Sequence, residues 1–252
     1  MIGENDMSAI KGVILAGGLG SRLYPLTAVT NKHLLPVWNK PMVYYPIQTL
    51  VDAGIREVMI VTGGNNSVDF LRLLGNGKEL GLKHIEYAYQ KGEGGIADAL
   101  RLAEDFIDNN KSVVVLGDNI IEKSIKKSVD KFRNQENGAR VLIKEVSDPQ
   151  RFGVVEFHGK KILRIIEKPK KPKTSYAVTG VYMYDSSVFD IVKSLKPSKR
   201  GELEITDVNN AYIKSGLMQY DILSGFWTDS GTFESLLRAN NLVARKCLNV
   251  KG

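Results

Sequence analysis

Residues 13–16, Val-Ile-Leu-Ala, form a short apolar run that stops at Gly17-Gly18. With Gly12 it predicts a buried strand at 12–16 that ends in a tight loop. Comparable runs at 58–62, 84–89 and 113–116 predict three more strands. Between them, at 42–53, 68–74 and 96–105, apolar residues recur at the spacing of a helix with one buried face. This β-α-β-α order predicts a mostly parallel, doubly wound sheet with helices on both faces. Ligands of such sheets bind at the carboxyl ends of the strands, where Gly17-Gly18 and Gly117-Asp118 both fall.

After Asp118 the pattern changes. A helix is expected at 122–135, then strands at 140–146, 153–157, 162–166 and 177–184, with a hairpin turn around His158-Gly159. A last helix is expected at 232–246. No low-complexity linker interrupts the chain, so one domain is expected over 1–252. The fold class is α/β: a Rossmann-like, doubly wound mixed sheet, mostly parallel, with antiparallel strands in the C-terminal half.

The loop Gly17-Gly18-Leu19-Gly20-Ser21-Arg22 offers unobstructed backbone N–H groups, a hydroxyl and a guanidinium. Those groups cradle phosphates. It is not a Walker A loop, since no Lys-Ser or Lys-Thr follows Gly20. Nor is it the dinucleotide fingerprint, since Leu23 stands where the third glycine belongs.

The continuation through Arg22, Pro25, Lys32 and Leu34-Leu35-Pro36-Val37 narrows the reading. The pattern GGxG[ST]RLxPLT…K…LLPV…KPM…YYP resembles the signature of the sugar-1-phosphate nucleotidylyltransferases, most closely the short glucose-1-phosphate thymidylyltransferases. The resemblance runs from about residue 11 to 245. It implies the nucleotide-diphospho-sugar transferase fold, with a nucleotide-binding half at about 11–120 and a sugar-phosphate-binding half at about 121–246. It also implies transfer of a thymidylyl group from dTTP to glucose 1-phosphate, giving dTDP-glucose and pyrophosphate for deoxysugar and polysaccharide precursors. Alternatives are a relative using UTP, CTP or another sugar 1-phosphate, and a non-catalytic sugar-nucleotide sensor.

Residue by residue, the resemblance places Leu15, Ala16, Gly17, Gly18, Gly20, Ser21 and Arg22 on the nucleotide, with Arg22 at the β- and γ-phosphates and Lys32 nearer the reacting phosphate. Gln90 and Gly95 would meet the base; a glutamine amide both donates and accepts, which suits a pyrimidine imide. Asp118 and Asp229, each read locally as a turn or capping residue, would together hold Mg²⁺ through hard oxygen ligands. Glu167 and Lys168 of the Glu-Lys-Pro tripeptide would take a sugar hydroxyl and the sugar phosphate. Gly153, Val178 and Tyr182 would shape the sugar pocket, and Glu202, in the acidic helix start Gly201–Asp207, would support it from behind. The catalytic set is Arg22, Lys32, Asp118 and Lys168. His33, which replaces a glutamine common in longer members, and the other two histidines, His84 and His158, fit no metal spacing.

Composition limits the setting. The 252 residues are 43% hydrophobic and 25% charged, as in ordinary globular proteins. A single cysteine, Cys247, excludes an intrachain disulfide and fits a reducing cytoplasm. The first residues lack a signal-peptide core, no stretch has membrane-spanning length, and 1–6 reads as a polar overhang with Met7 an alternative start. The net charge of +7 suits polyanionic small substrates, and its scattered lysines form no stripe for nucleic acid. The resemblance also implies a homo-oligomer. Longer members continue with helices that help build a second, regulatory nucleotide site, and little chain remains here to do so.

Overall fold

The computed structural model describes residues 9–64 and 67–249; the polar overhang and Met7 lie outside them. The first strand, β1 (Ile10–Ala16), is followed by the two-residue strands β2 (Pro36–Val37) and β3 (Lys40–Pro41), which pair with each other. Then come α1 (Tyr44–Asp52), β4 (Glu57–Gly63), α2 (Val68–Leu74), β5 (His84–Gln90), α3 (Ile96–Arg101), α4 (Glu104–Ile107), β6 (Lys111–Leu116) and β7 (Asn119–Ile121). The second half runs α5 (Lys126–Arg133), β8 (Ala139–Glu145), β9 (Gly153–His158), β10 (Lys161–Glu167), β11 (Tyr176–Tyr184), α6 (Val188–Ser194), α7 (Ile205–Lys214), β12 (Met218–Ile222), β13 (Trp227–Asp229) and α8 (Phe233–Asn249).

Nine of the described strands form one sheet. β5, β4, β1 and β6 lie side by side and parallel, and β11 joins β6 antiparallel. Successive side chains of β1 enter opposite layers, as the pleat requires. Val13 and Leu15 pack with residues of α3, α4, α6 and α7, whereas Ile14 and Ala16 pack with α1, α2 and α5. Helices therefore cover both faces, and each wholly buried Val, Ile or Leu contributes about 1.5–3 kcal/mol. The helix α8 stands apart, its Ala239 and Val243 packed on Leu23, Leu35, Val37, Met42 and Ile120.

One feature of β11 shapes the cleft. One edge pairs with β8 nearly throughout, while the other pairs with β6 through Val181–Tyr184 and with β9 at Ala177. The antiparallel strand thus runs past the carboxyl end of β6 and carries the β9–β10 hairpin with it. That hairpin becomes a wall beside the loops that leave β1 and β6.

The expected strands all form, the first two residues early at Ile10. Two expected helices change. The one at 96–105 is two short helices, α3 and α4, separated at Leu102-Ala103. The one at 122–135 starts only at Lys126, because Asn119–Ile121 is drawn into a ladder with β13 and the Glu122 N–H donates to Phe226 O at 3.1 Å. Local pattern gave no sign of β7, β12, β13 or α6.

Candidate active site

The glycine loop leaves β1 at Ala16 and turns into a 3-10 segment, Ser21–Leu23. Gly20 has φ 65°, and a Cβ there would lie 2.9 Å from Thr27 and 3.0 Å from Lys32. Glycine is therefore required twice over, by its left-handed backbone and by the close packing against Lys32. Beyond the loop opens a cleft of about 590 Å³, floored by the ends of β1 and β6 and walled by β9, β10 and β11.

Two carboxylates meet at its centre. Asp118 follows β6, and Asp229 ends β13, where it pairs across the ladder with Asn119. Asp229 is therefore a strand end and not the pre-helical turn expected of it. The β7–β13 ladder is what brings the two acids together from positions 111 residues apart in sequence. A methyl built on Gly231 would lie 3.4 Å from Asp229 Oδ2, 3.5 Å from Asp118 Oδ2 and 3.2 Å from Arg22 Nη2, so all three groups face one small space.

Each acid has its own cation. Lys32 Nζ donates to Asp118 Oδ2 at 2.7 Å, and Arg151 Nη2 reaches both oxygens of Asp229 at 2.9 and 3.1 Å. Burial opposes ionisation of Asp118, but the Lys32 charge and hydrogen bonds from Lys32 and Asn119 hold its carboxyl well below the usual range. For Asp229 burial and the Asp118 charge win over Arg151, and its pKa is raised. Among the described residues no third His, Cys, Asp or Glu completes a protein-only cage. Two hard oxygen donors with open positions fit a cation that takes its other ligands from water and phosphate, the habit of Mg²⁺. Arg22 forms no ion pair among the described residues, and its charge acts on Asp229 from across the shared space.

Asn119 connects three strands at this centre. Its Oδ1 accepts from the Gly180 N–H at 3.1 Å and Trp227 Nε1 at 2.5 Å, and its Nδ2 donates to Asp118 Oδ1 at 3.0 Å. Behind Lys32, the buried His33 ring bonds Asn31 Oδ1 at 2.8 Å. Burial and the neighbouring Lys32 lower its pKa to about 3, so it is neutral at pH 7.

On the opposite wall, Lys168 follows β10 at φ 43°, an uncommon conformation for a side-chain-bearing residue, held by its N–H to Phe152 O at 3.0 Å. Glu167 accepts from Thr206 Oγ1 at 2.6 Å. Arg200 reaches Glu204 at 2.8 Å, Glu202 at 3.3 Å and Glu167 at 3.9 Å. Val178 and Tyr182 form a nearly buried apolar surface, with Tyr182 stacked on Tyr184 at 6.1 Å.

Of the residues singled out in the sequence, Ala16, Gly20 and Ser21 do not line the cleft. Ala16 lies in the core beneath the loop, Gly20 faces Thr27 and Lys32, and Ser21 is exposed. The others, from Leu15 to Asp229, come together around it. Gly95 has a further reason to be glycine: a Cβ would lie 2.6 Å from Leu203 O, where the segment before α7 is strapped to this loop. Asn119, Arg151 and Arg200 were missed. Their one signal was adjacency, since each stands within two residues of a position already marked.

The nucleotidyl transferase family model matches residues 11–246, and the chain belongs to that family. A glucose-1-phosphate thymidylyltransferase of Neisseria meningitidis serogroup A is 46% identical over 238 residues, 93% of this chain and 82% of its own. A crystal structure of a Bacillus anthracis protein described as a glucose-1-phosphate thymidylyltransferase, in complex with sucrose, superposes with TM-score 0.89 at 55% identity and covers 93% and 95% of the two chains. A UDP-glucose pyrophosphorylase with UDP-glucose shares the fold, with TM-score 0.81 at 24% identity over 94% and 99%.

Proposed function

We propose that this protein transfers a thymidylyl group from dTTP to α-D-glucose 1-phosphate, releasing dTDP-glucose and pyrophosphate. The observation that carries the reading is the convergence of Arg22, Asp118 and Asp229 beside the glycine loop, facing Lys168 across the cleft. The relatives' names supply the two substrates.

The nucleophile is an oxygen of the sugar phosphate. A phosphate monoester loses its second proton near pH ~6, so the group is mostly dianionic at neutral pH and needs no general base. The neutral, buried His33 is consistent with that. The difficulty is to bring two polyanions together and let pyrophosphate leave. The glycine-loop N–H groups and Arg22 hold the β- and γ-phosphates and stabilise the leaving group. Lys168 holds the sugar phosphate, and Lys32 sits between the acids and the reacting phosphate. Glu167, fixed by Thr206, accepts from a sugar hydroxyl. Mg²⁺ on Asp118 and Asp229 would neutralise phosphate charge. The reaction belongs in the cytoplasm, which a chain with one cysteine suits, and the working form is a homo-oligomer.

The test is pyrophosphate release across dTTP, UTP, dCTP, ATP and GTP, each with glucose, galactose, mannose and N-acetylglucosamine 1-phosphates, with and without EDTA. A single maximum at dTTP with glucose 1-phosphate, abolished by EDTA, supports the reading. A maximum at another pair overturns the substrate assignment, and no turnover by a folded protein that binds dTDP-glucose indicates a sensor.

A further inference from the structure

The Gln90 amide is oriented from behind. Its Nε2 donates to the Gly95 carbonyl at 3.0 Å and to Asp98 Oδ2 at 2.9 Å. Both partners are acceptors only, so turning the amide over would set its oxygen against two oxygens. The end left for the cleft is Oε1, which faces the glycine loop; a Cβ on Gly17 would lie 2.8 Å from it. Asp98 is held in turn by Arg101, whose Nη2 donates to Oδ1 at 3.0 Å. The position needs acceptors on both sides, which a carboxylate supplies and an asparagine does not. Gly94 keeps the space open, since a Cβ there would lie 2.6 Å from Asp98 Cγ.

We propose that Asp98 is a specificity-determining positioning residue, fixing the Gln90 amide with its oxygen toward the nucleobase so that the site selects a base bearing an imide N–H over one bearing a bare ring nitrogen. This rests on the reading of Gln90 as the base contact. Thymine and uracil carry a donor at that edge, whereas cytosine carries an acceptor. Against cytosine, two lone pairs meet and the anchored amide cannot turn to relieve them. A buried group left unpaired in this way discriminates strongly.

The experiment is kcat/KM for dTTP, UTP and dCTP with glucose 1-phosphate, in the wild type, Asp98→Ala and Gly94→Ala. The second variant crowds the carboxylate off the amide without removing its charge, and it keeps the test open if Asp98→Ala does not fold. The wild type is expected to prefer dTTP over dCTP by at least about 10²-fold. Both variants should lower that ratio by about tenfold, the scale of one hydrogen bond to a charged group, and leave the dTTP to UTP ratio unchanged. Equal losses on dTTP and dCTP would show a structural role only and overturn the proposal, as would an unchanged ratio. A wild type that prefers dCTP or a purine would overturn the reading of Gln90 as well.

Discussion

Arg22 is the exposed cation of the glycine loop, and its guanidinium faces the same space as the Asp118 and Asp229 carboxylates. Removing a major electrostatic stabiliser of this kind costs about 10²–10³ in kcat. Arg22→Ala is expected to lose at least about 10²-fold while keeping its fold, as measured by steady-state kinetics beside circular dichroism. His33 makes a different prediction. Its pKa falls from 6.5 in the unfolded chain to about 3 in the native protein, so the neutral ring is part of the folded state. The stability this provides is complete above pH 6.5 and is lost as pH falls through 6.5 toward 3, by up to about 1.4 kcal/mol per pH unit. Urea unfolding of His33→Gln should show a shallower fall than the wild type across that window. Asp229 moves the other way, raised by burial and by Asp118. In the proposed mechanism its proton would compete with the bound cation, so an acid limb of kcat/KM that belongs to Asp229 should move to lower pH as Mg²⁺ rises. A limb indifferent to Mg²⁺ would contradict that assignment.

The elements explain why some of the site was legible in the sequence and some was not. The glycine loop announces itself because strand, turn and phosphate cradle are contiguous over residues 12–22. Glu167-Lys168 is likewise local, fixed by the end of β10. The meeting of Asp118 and Asp229 is not local. It depends on two three-residue strands, β7 and β13, too short for any periodicity and paired across more than a hundred residues. Arg151 and Arg200 escaped for a related reason, since a surface arginine and a site arginine look alike until the fold supplies their carboxylates. Asn119 is the side chain on which that ladder hangs. Asn119→Ala would leave the Gly180 N–H and Trp227 Nε1 without an acceptor, at about 1–3 kcal/mol for each group left unsatisfied. The expected result is a lower melting temperature together with weaker Mg²⁺ dependence of turnover. A loss of stability with unchanged metal dependence would confine Asn119 to packing.

At the scale of the molecule, the sheet supplies a rigid frame in which the glycine loop and the β9–β10 wall face each other across the carboxyl ends of β1 and β6. Among the described residues no helix is long and apolar enough to cross a membrane. Five cations, Arg22, Lys32, Arg151, Lys168 and Arg200, line the cleft beside six carboxylates, Glu93, Asp118, Glu167, Glu202, Glu204 and Asp229, so the chain's positive balance lies outside it. In the proposed reaction a sugar-phosphate oxygen attacks the α-phosphorus of dTTP and expels pyrophosphate. The most direct test is ³¹P NMR of the reaction run with glucose 1-phosphate carrying ¹⁸O in its phosphate. The expected products are dTDP-glucose that retains all of the label, with one labelled oxygen in the diphosphate bridge, and unlabelled pyrophosphate. Label in the pyrophosphate, or unlabelled oxygen in the bridge, would contradict it.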